Sequence, residues 1–151
     1  MVKQNTYRIG VIADTHDRWM PQIEKLFQDV DEIWHLGDVC QESILDTLRG
    51  INPRLTVVLG NNDISLDSPL TANLTREGER FHLIHILPRV MPQNTDWLLY
   101  GHTHRPTDEI HEGIHLFNPG SAGRANKGAP ISVGFLTREP GKKFRAKVVL
   151  L

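Results

Sequence analysis

Seven side chains able to bind a cation fall in five short segments of this 151-residue sequence: Asp14-Thr15-His16, Gly37-Asp38, Gly60-Asn61-Asn62-Asp63, His85, and Gly101-His102-Thr103-His104. Carboxylate, amide and imidazole donors mixed in this way suit manganese, iron or zinc more than the all-oxygen sites of calcium or magnesium. The Asp-x-His and His-x-His spacings predict paired donors on one side of an extended segment, where alternate residues point the same way. A carboxylate such as Asp38, set between two such groups, can bridge two cations and hold them about 3.5 to 4 Å apart. Gly37, Gly60 and Gly101 would let the backbone turn sharply beside the donors.

The elements that must position these residues follow from hydrophobic patterning. Tyr7 to Ala13 reads as a near-continuous apolar strand ending at Asp14, Glu32 to Leu36 as a second ending at Gly37-Asp38, and Arg54 to Leu59 as a third ending at Gly60-Asn61. Pro21 to Val30 carries Ile23, Leu26, Phe27 and Val30 at helical spacing. Gln41 to Leu48 carries Ile44, Leu45 and Leu48, with Gly50 and Asn52-Pro53 closing that helix. Beyond residue 70, turn signals at Glu77-Gly78, Glu112-Gly113 and Pro140-Gly141 separate adjacent extended runs, which predicts hairpins and an antiparallel second half. The expected fold class is α/β: a single domain over 1–151, built as a four-layer α/β/β/α sandwich of two packed mixed sheets with helices outside. In such sheets the carboxyl ends of strands form the ligand crevice, so Asp14, His16, Asp38 and Asn61 should converge there, joined by His85 and the 101–104 segment.

Composition narrows the function classes. With 17 Lys+Arg against 18 Asp+Glu the formal charge is -1, so there is no global basic field to draw the chain onto nucleic acid or a membrane surface. The N-terminal residues lack a signal-peptide core, and no apolar run approaches the roughly 20 residues of a membrane span. A single cysteine, Cys40, excludes an internal disulfide and points to a reducing compartment, so a cytoplasmic protein is expected. Cys40 itself reads as a small buried apolar residue.

The ordered set Asp14-x-His16, Gly37-Asp38, Gly60-Asn61-x-Asp63, His85 and Gly101-His102-x-His104 resembles the calcineurin-like metallophosphoesterase superfamily. The short length and the Asn118-Pro119-Gly120-Ser121 segment resemble its small bacterial and archaeal phosphodiesterases, the branch that includes the retromer subunit of eukaryotes. The resemblance covers residues 7 to 121. It implies two divalent metal ions, Mn or Fe/Zn with Ni usable in vitro. Asp14, His16 and His104 would hold the first, Asn61, His85 and His102 the second, and Asp38 would bridge them. It further implies a hydroxide between the cations that attacks phosphorus in line. Asp38, Asn61 and His102 would carry the catalytic role, and Asn61, with Arg18 and Arg105 beside the ligand motifs, would contact substrate phosphate. Asp63 would orient the histidine ligands by hydrogen bonding.

The sequence departs from the family pattern in two places. Many members carry a histidine immediately after the Asn of the third motif to protonate the leaving group. Asn62 stands there instead, and loss of a general acid costs on the order of 10² to 10⁴ in rate. The fourth motif, usually His-Gly-His, reads His85-Ile86-Leu87-Pro88. His85 is the expected ligand, because His82 would point to the opposite strand face. Segment 88–96 is also shorter than the family's usual helical connection.

The remaining histidines read as structural. His35, inside an apolar run, is expected in the core, and His111 and His115, flanking a hairpin turn, are expected at the surface. Lys142, Lys143, Arg145 and Lys147 read as a solvated hairpin face. The expected activity is that of a phosphodiesterase acting on a small phosphate ester, with a phosphomonoesterase second. The alternative is an interaction module that keeps the fold with a weakened metal centre. Nucleic-acid cleavage is disfavoured by the charge balance, and hairpin edges leave room for pairing into a homo-oligomer.

Overall fold

The structure, a computed structural model, describes residues 5–124 and 129–151. Its elements run in the order β1 (Tyr7–Ile12), α1 (Gln22–Leu26), β2 (Glu32–His35), α2 (Glu42–Ile51), β3 (Leu55–Val57), β4 (Thr71–Arg76), β5 (Glu79–Ile84), β6 (Trp97–Leu99), β7 (Thr107–His111), β8 (Ile114–Asn118), β9 (Ser132–Arg138) and β10 (Arg145–Leu150). They form two mixed five-stranded sheets, ordered β10-β9-β1-β2-β3 and β4-β5-β6-β8-β7.

The apolar strands seen in the sequence explain the layering. Ile9, Val11, Trp34, Leu36 and Val58 of the first sheet face Phe81, Leu83, Trp97, Leu99 and Phe117 of the second, forming the central core. Alternate residues of the first sheet, Ile12, Ile33, Val57, Val133 and Phe135, point the other way. They pack against Ile23, Phe27, Ile44, Leu45 and Leu48 of the two helices. On the outer face of the second sheet, Leu98, Tyr100, Ile114 and Leu116 are covered by Met91 of the irregular segment before β6. Each large side chain so buried contributes roughly 1.5 to 3 kcal/mol. Among the described residues no helix is long and apolar enough to cross a membrane.

Three local expectations are corrected. α1 is five residues long and does not reach Val30: Phe27 ends it, and the Val30 N–H bonds the Phe27 carbonyl as the chain turns into β2. The Phe27 ring lies against Gly10, where a Cβ would stand only 2.9 Å from it. Gly50 sits inside α2 and does not close it. Asn52 does so, donating from Nδ2 to the Val30 carbonyl at 2.8 Å and accepting the Arg54 N–H at 2.9 Å. The second half is not simply antiparallel. The β4-β5 and β7-β8 hairpins form, but they flank β6, which pairs parallel with both β5 and β8. The third hairpin, β9-β10, joins the first sheet beside β1.

Two buried glutamates tie the sheets together at the end opposite the carboxyl ends of β1 to β3. Glu32 accepts hydrogen bonds from Arg76 of β4, Tyr7 and Trp34. Burial works against its charge, but these donors hold its carboxyl below the ordinary value, and Tyr7 is in turn pushed up to about 12 by burial and by Glu32. Glu79 of β5 accepts from the Trp97 indole at 3.0 Å and from the Phe144 N–H at 2.9 Å.

Candidate functional site

The loops after β1, β2 and β3 meet the segments after β5 and β6. Backbone hydrogen bonds lock them: Asp14 N–H to Gly37 O and His16 N–H to Asp38 O, each 3.0 Å, and Gly101 N–H to His85 O at 2.9 Å. Asp14 and His16 are not on an extended segment, and neither are His102 and His104. Asp14, His16, Asp17, Asp38, Cys40, His102 and His104 all have positive φ, between 47° and 72°. Alternate left-handed residues, not strand alternation, turn the paired donors inward. Each such residue costs on the order of 1 to 2 kcal/mol in backbone strain, which the surrounding hydrogen bonds and core offset.

The glycines act mainly through close approach. Gly37 does turn the chain, at φ 103°. Gly60 and Gly101 have no such φ; a Cβ on Gly60 would overlap Asp38, and one on Gly101 would stand 3.0 Å from Asp14 Oδ2. Buried Asn118 braces the 101–104 loop, donating to Gly101 O and Thr103 Oγ1, both at 3.1 Å. Ser121 Oγ donates to Asp14 O at 2.8 Å.

Donor atoms converge on a small space. Asp14 Oδ1 lies 3.7 Å from His16 Nε2, 3.7 Å from His85 Nε2 and 3.5 Å from His104 Nε2. Asp38 Oδ2 lies 3.5 Å from His16 Nε2 and 3.4 Å from His85 Nε2, so it faces both halves of the cluster. The His16 and His104 Nε2 atoms stand 3.1 Å apart. Ligand atoms each about 2.1 Å from one cation stand on the order of 3 to 3.5 Å from one another, so these separations suit shared coordination. Asp14, His16 and His104 form one group able to hold a metal, and Asp14, Asp38 and His85 another.

Among the described residues, two buried atoms in this cluster, Asp14 Oδ1 and His85 Nε2, have no hydrogen-bond partner. The His85 Nδ1–H donates to the Leu36 carbonyl at 2.8 Å, which fixes the ring and leaves Nε2 aimed at two carboxylates. Nε2 can face carboxylate oxygens in a buried space only with a proton or a cation between them, and with His16 and His104 aimed at the same Asp14 oxygen the residues fit a metal.

The electrostatics agree. Burial raises the Asp14 carboxyl to about 7, with His85 pulling it down and Asp38 pushing it further up. Asp38 is held well below the carboxylate range: burial opposes its charge, but His85 and two N–H groups of Asn62 outweigh it. His85 is raised because its carboxylate neighbours outweigh burial, while burial lowers His16 and His104.

The outer donors lie at the rim. Asn61 and His102 are exposed and meet each other, Asn61 Oδ1 to His102 Nδ1 at 3.2 Å, and the His102 ring is 5.3 Å from that of His85. Arg18 is exposed and donates to Gly123 O at 3.4 Å; Arg105 is exposed on the loop after His104. His82 faces away, bonded to Asn73 at 2.7 Å.

Several roles differ from those read in the sequence. Among the described residues Asp63 bonds no histidine. It accepts the N–H groups of Asp38 and Gly60 on Oδ2 and of Cys40 on Oδ1, each at 2.8 Å, and so shapes the loop that carries Asp38. Cys40 is half-buried, its Sγ 3.9 Å from His16 Nδ1, and burial among carboxylates pushes its thiol up to about 11. His35 is in the core, as its apolar run predicts, whereas His115 is half-buried, stacked on Trp97 at 3.9 Å and paired with Asp108. Sequence reading missed Arg124, whose charge works against protonation of His16. Its only sequence signal was its place three residues beyond Ser121.

Known proteins place this site in a family. A calcineurin-like phosphoesterase superfamily domain matches residues 7–141. The chain is 36% identical over 131 residues to a probable metallophosphoesterase of Methanothermobacter thermautotrophicus, covering 75% of this chain and 76% of that one. It is 26% identical over 168 residues to a phosphodiesterase of Methanocaldococcus jannaschii, covering 95% and 99%. In fold it is similar to vacuolar protein sorting 29 of Cryptosporidium parvum, with a TM-score of 0.79, 18% identity and 97% and 98% of the two chains covered. With the donor cluster at the strand ends and a domain match across most of its length, the chain belongs to the calcineurin-like phosphoesterase superfamily.

Proposed function

We propose that the chain is a metal-dependent phosphodiesterase acting on a small phosphate ester. The observation that carries this reading is the pair of buried, partnerless atoms Asp14 Oδ1 and His85 Nε2, 3.7 Å apart in a ring of further donors. Asp14, His16 and His104 would hold one divalent ion, Asn61, His85 and His102 a second, and Asp38 Oδ2 would be shared, with manganese, iron or zinc the metals these donors suit. When bound, such ions lower the pKa of water and neutralise charge on phosphoryl oxygens.

The chain's own residues divide the remaining work. Asp63 and Asn62 fix Asp38, and the Leu36 carbonyl fixes the His85 ring. Asn61 and His102, at the rim, would meet the phosphoryl group as it enters, and Arg18, Arg105 and Arg124 would supply positive charge around it. The amide of Asn62 holds no transferable proton, so diesters with acidic leaving groups should react fastest. Relatives named phosphodiesterase support the diester preference. Against a non-hydrolytic interaction module stands the convergence of Asp14, His16, Asp38, His85 and His104, since likeness to vacuolar protein sorting 29 is one of fold.

The test is hydrolysis of bis-p-nitrophenyl phosphate beside p-nitrophenyl phosphate by metal-stripped protein titrated with Mn²⁺, Zn²⁺, Ni²⁺ or Mg²⁺. Metal-dependent release, faster from the diester, is expected. Folded, metal-loaded protein that releases nothing would overturn the reading in favour of the interaction module.

A further inference from the structure

A pocket of about 310 Å³ opens directly beside the donor cluster. Leu59 beyond β3, Leu70 before β4, Ile84 at the end of β5 and Ile86 line it together with Asn61 and His85. Leu70 is 69% and Ile86 46% exposed, so apolar side chains stand in water next to the donor cluster. Among the described residues no Asp, Glu, Lys or Arg side chain lines the pocket. Larger hollows of about 470 and 520 Å³ lie against the helices and contain none of the convergent donors.

We propose that this pocket is the subsite for one ester substituent of the substrate, and that the substituent is uncharged and apolar, an aryl or branched alkyl group. The inference rests on the phosphoesterase reading above. Continuity is the first argument: Asn61 and His85 belong to both the donor set and the pocket wall, so a group bonded to phosphorus enters without a spacer. Chemistry is the second. A carboxylate or ammonium substituent would give up hydration for leucine and isoleucine side chains, and the edge of a nucleobase would lose its hydrogen-bond partners there. Size is the third, since about 310 Å³ is at the lower end of small-molecule sites and holds a ring or a short branched chain.

Two measurements on the full chain test this. In the first, zinc-loaded and metal-free protein with labelled Leu and Ile methyl groups is titrated with phenylphosphonate and with methylphosphonate, neither of which has an ester to cleave. Phenylphosphonate is expected to shift the Leu59, Leu70, Ile84 and Ile86 methyl resonances and to bind more tightly. In the second, Mn²⁺-loaded protein is given methyl p-nitrophenyl phosphate and its 3-carboxy ring analogue. The uncharged ring is expected to have a kcat/KM about tenfold higher or more, the scale on which apolar pockets discriminate. Leu70→Lys, a change at an exposed position, should narrow or invert that ratio. Equal turnover of both diesters, with the pocket methyls unmoved by phenylphosphonate, would overturn the subsite and leave the phosphoesterase reading intact. Preferential phenylphosphonate binding without turnover of either ester would overturn the phosphoesterase reading and keep the pocket as an apolar binding site.

Discussion

Asn62 grips both oxygens of Asp38: its backbone N–H donates to Oδ1 and its side-chain amide to Oδ2, each at 2.9 Å. A residue that stands where many relatives carry a proton donor is here committed to orienting the carboxylate that faces both halves of the donor cluster. Asn62→Ala keeps the backbone bond and loses the other. Metal affinity should fall about 10- to 100-fold, as for other groups that orient a ligand, while stability in urea changes by about 1 kcal/mol. Calorimetric metal titration showing unchanged affinity would remove Asn62 from this positioning role.

Asp38 and His85 make a sharper pair. Asp38→Ala should abolish two-ion occupancy and turnover together, because its Oδ2 faces donors of both groups. His85→Ala should weaken the second ion more than the first. Metal content by mass spectrometry beside diester hydrolysis separates these outcomes, and turnover retained by Asp38→Ala would refute the shared-carboxylate arrangement.

Asp63 is a structural keystone for the same loop. Asp63→Ala leaves the N–H groups of Asp38, Cys40 and Gly60 without their acceptor. At about 1 to 3 kcal/mol for the buried Asp38 N–H, and less for the half-buried N–H groups of Cys40 and Gly60, the loss should be about 2 kcal/mol or more in urea unfolding of the metal-free protein. A change below about 1 kcal/mol would mean that water replaces the carboxylate.

Glycines in the site and outside it should respond in opposite directions to alanine. Gly60→Ala would drive a methyl group into Asp38 and should eliminate metal binding. Gly50, in the last turn of α2, has nothing within 4 Å of a Cβ, so Gly50→Ala should stabilise the fold by roughly 0.5 to 1 kcal/mol. Urea midpoints of the two variants check this.

Acid should act through His35. Its Nδ1 accepts the Gly37 N–H at 3.1 Å, so the ring carries its proton on Nε2 and donates to Thr15 Oγ1, which donates in turn to the Val39 carbonyl. Burial, and then the His85 charge, lowers its pKa from 6.5 to about 3. Below pH 6.5 the unfolded chain therefore takes up a proton that the fold refuses, and stability falls as pH drops toward 3. Asp14, raised to about 7, has the opposite slope in the metal-free protein, so the effect is read against a His35→Gln variant. Wild-type stability relative to that variant should decline by about 1.4 kcal/mol per pH unit. Parallel curves from pH 6.5 to 4 would show that the ring protonates inside the fold.

Strand ends were legible in the sequence because burial on both faces leaves long apolar runs, and the first two runs stopped at Asp14 and Asp38 of the cluster, the third at Asn61 on its rim. The interior of those loops was not. Strand alternation was the natural reading of Asp14-x-His16 and His102-x-His104, but left-handed φ values leave no hydrophobic trace. The order of the second sheet was hidden for a related reason: hairpin signals report neighbours in sequence, and the parallel placement of β6 between β5 and β8 is decided by tertiary packing. Asp63 was read for its type and belonged to backbone donors that no side-chain pattern announces. The apolar pocket was equally hidden, since Leu59, Leu70 and the pair Ile84 and Ile86 come from three separate stretches of chain.

The left-handed backbone at Asp14, His16, Asp38, His102 and His104 has an evolutionary corollary. Aspartate and histidine are among the few side chains other than glycine that tolerate this conformation, and they are also the residues whose oxygen and nitrogen atoms bind cations. Conformation and coordination thus draw on one alphabet at these positions. A lineage that lost its metal would still find most replacements there penalised by the loop geometry, so the motif can outlive the chemistry, and its presence alone is a weaker witness to catalysis than the partnerless atoms it surrounds.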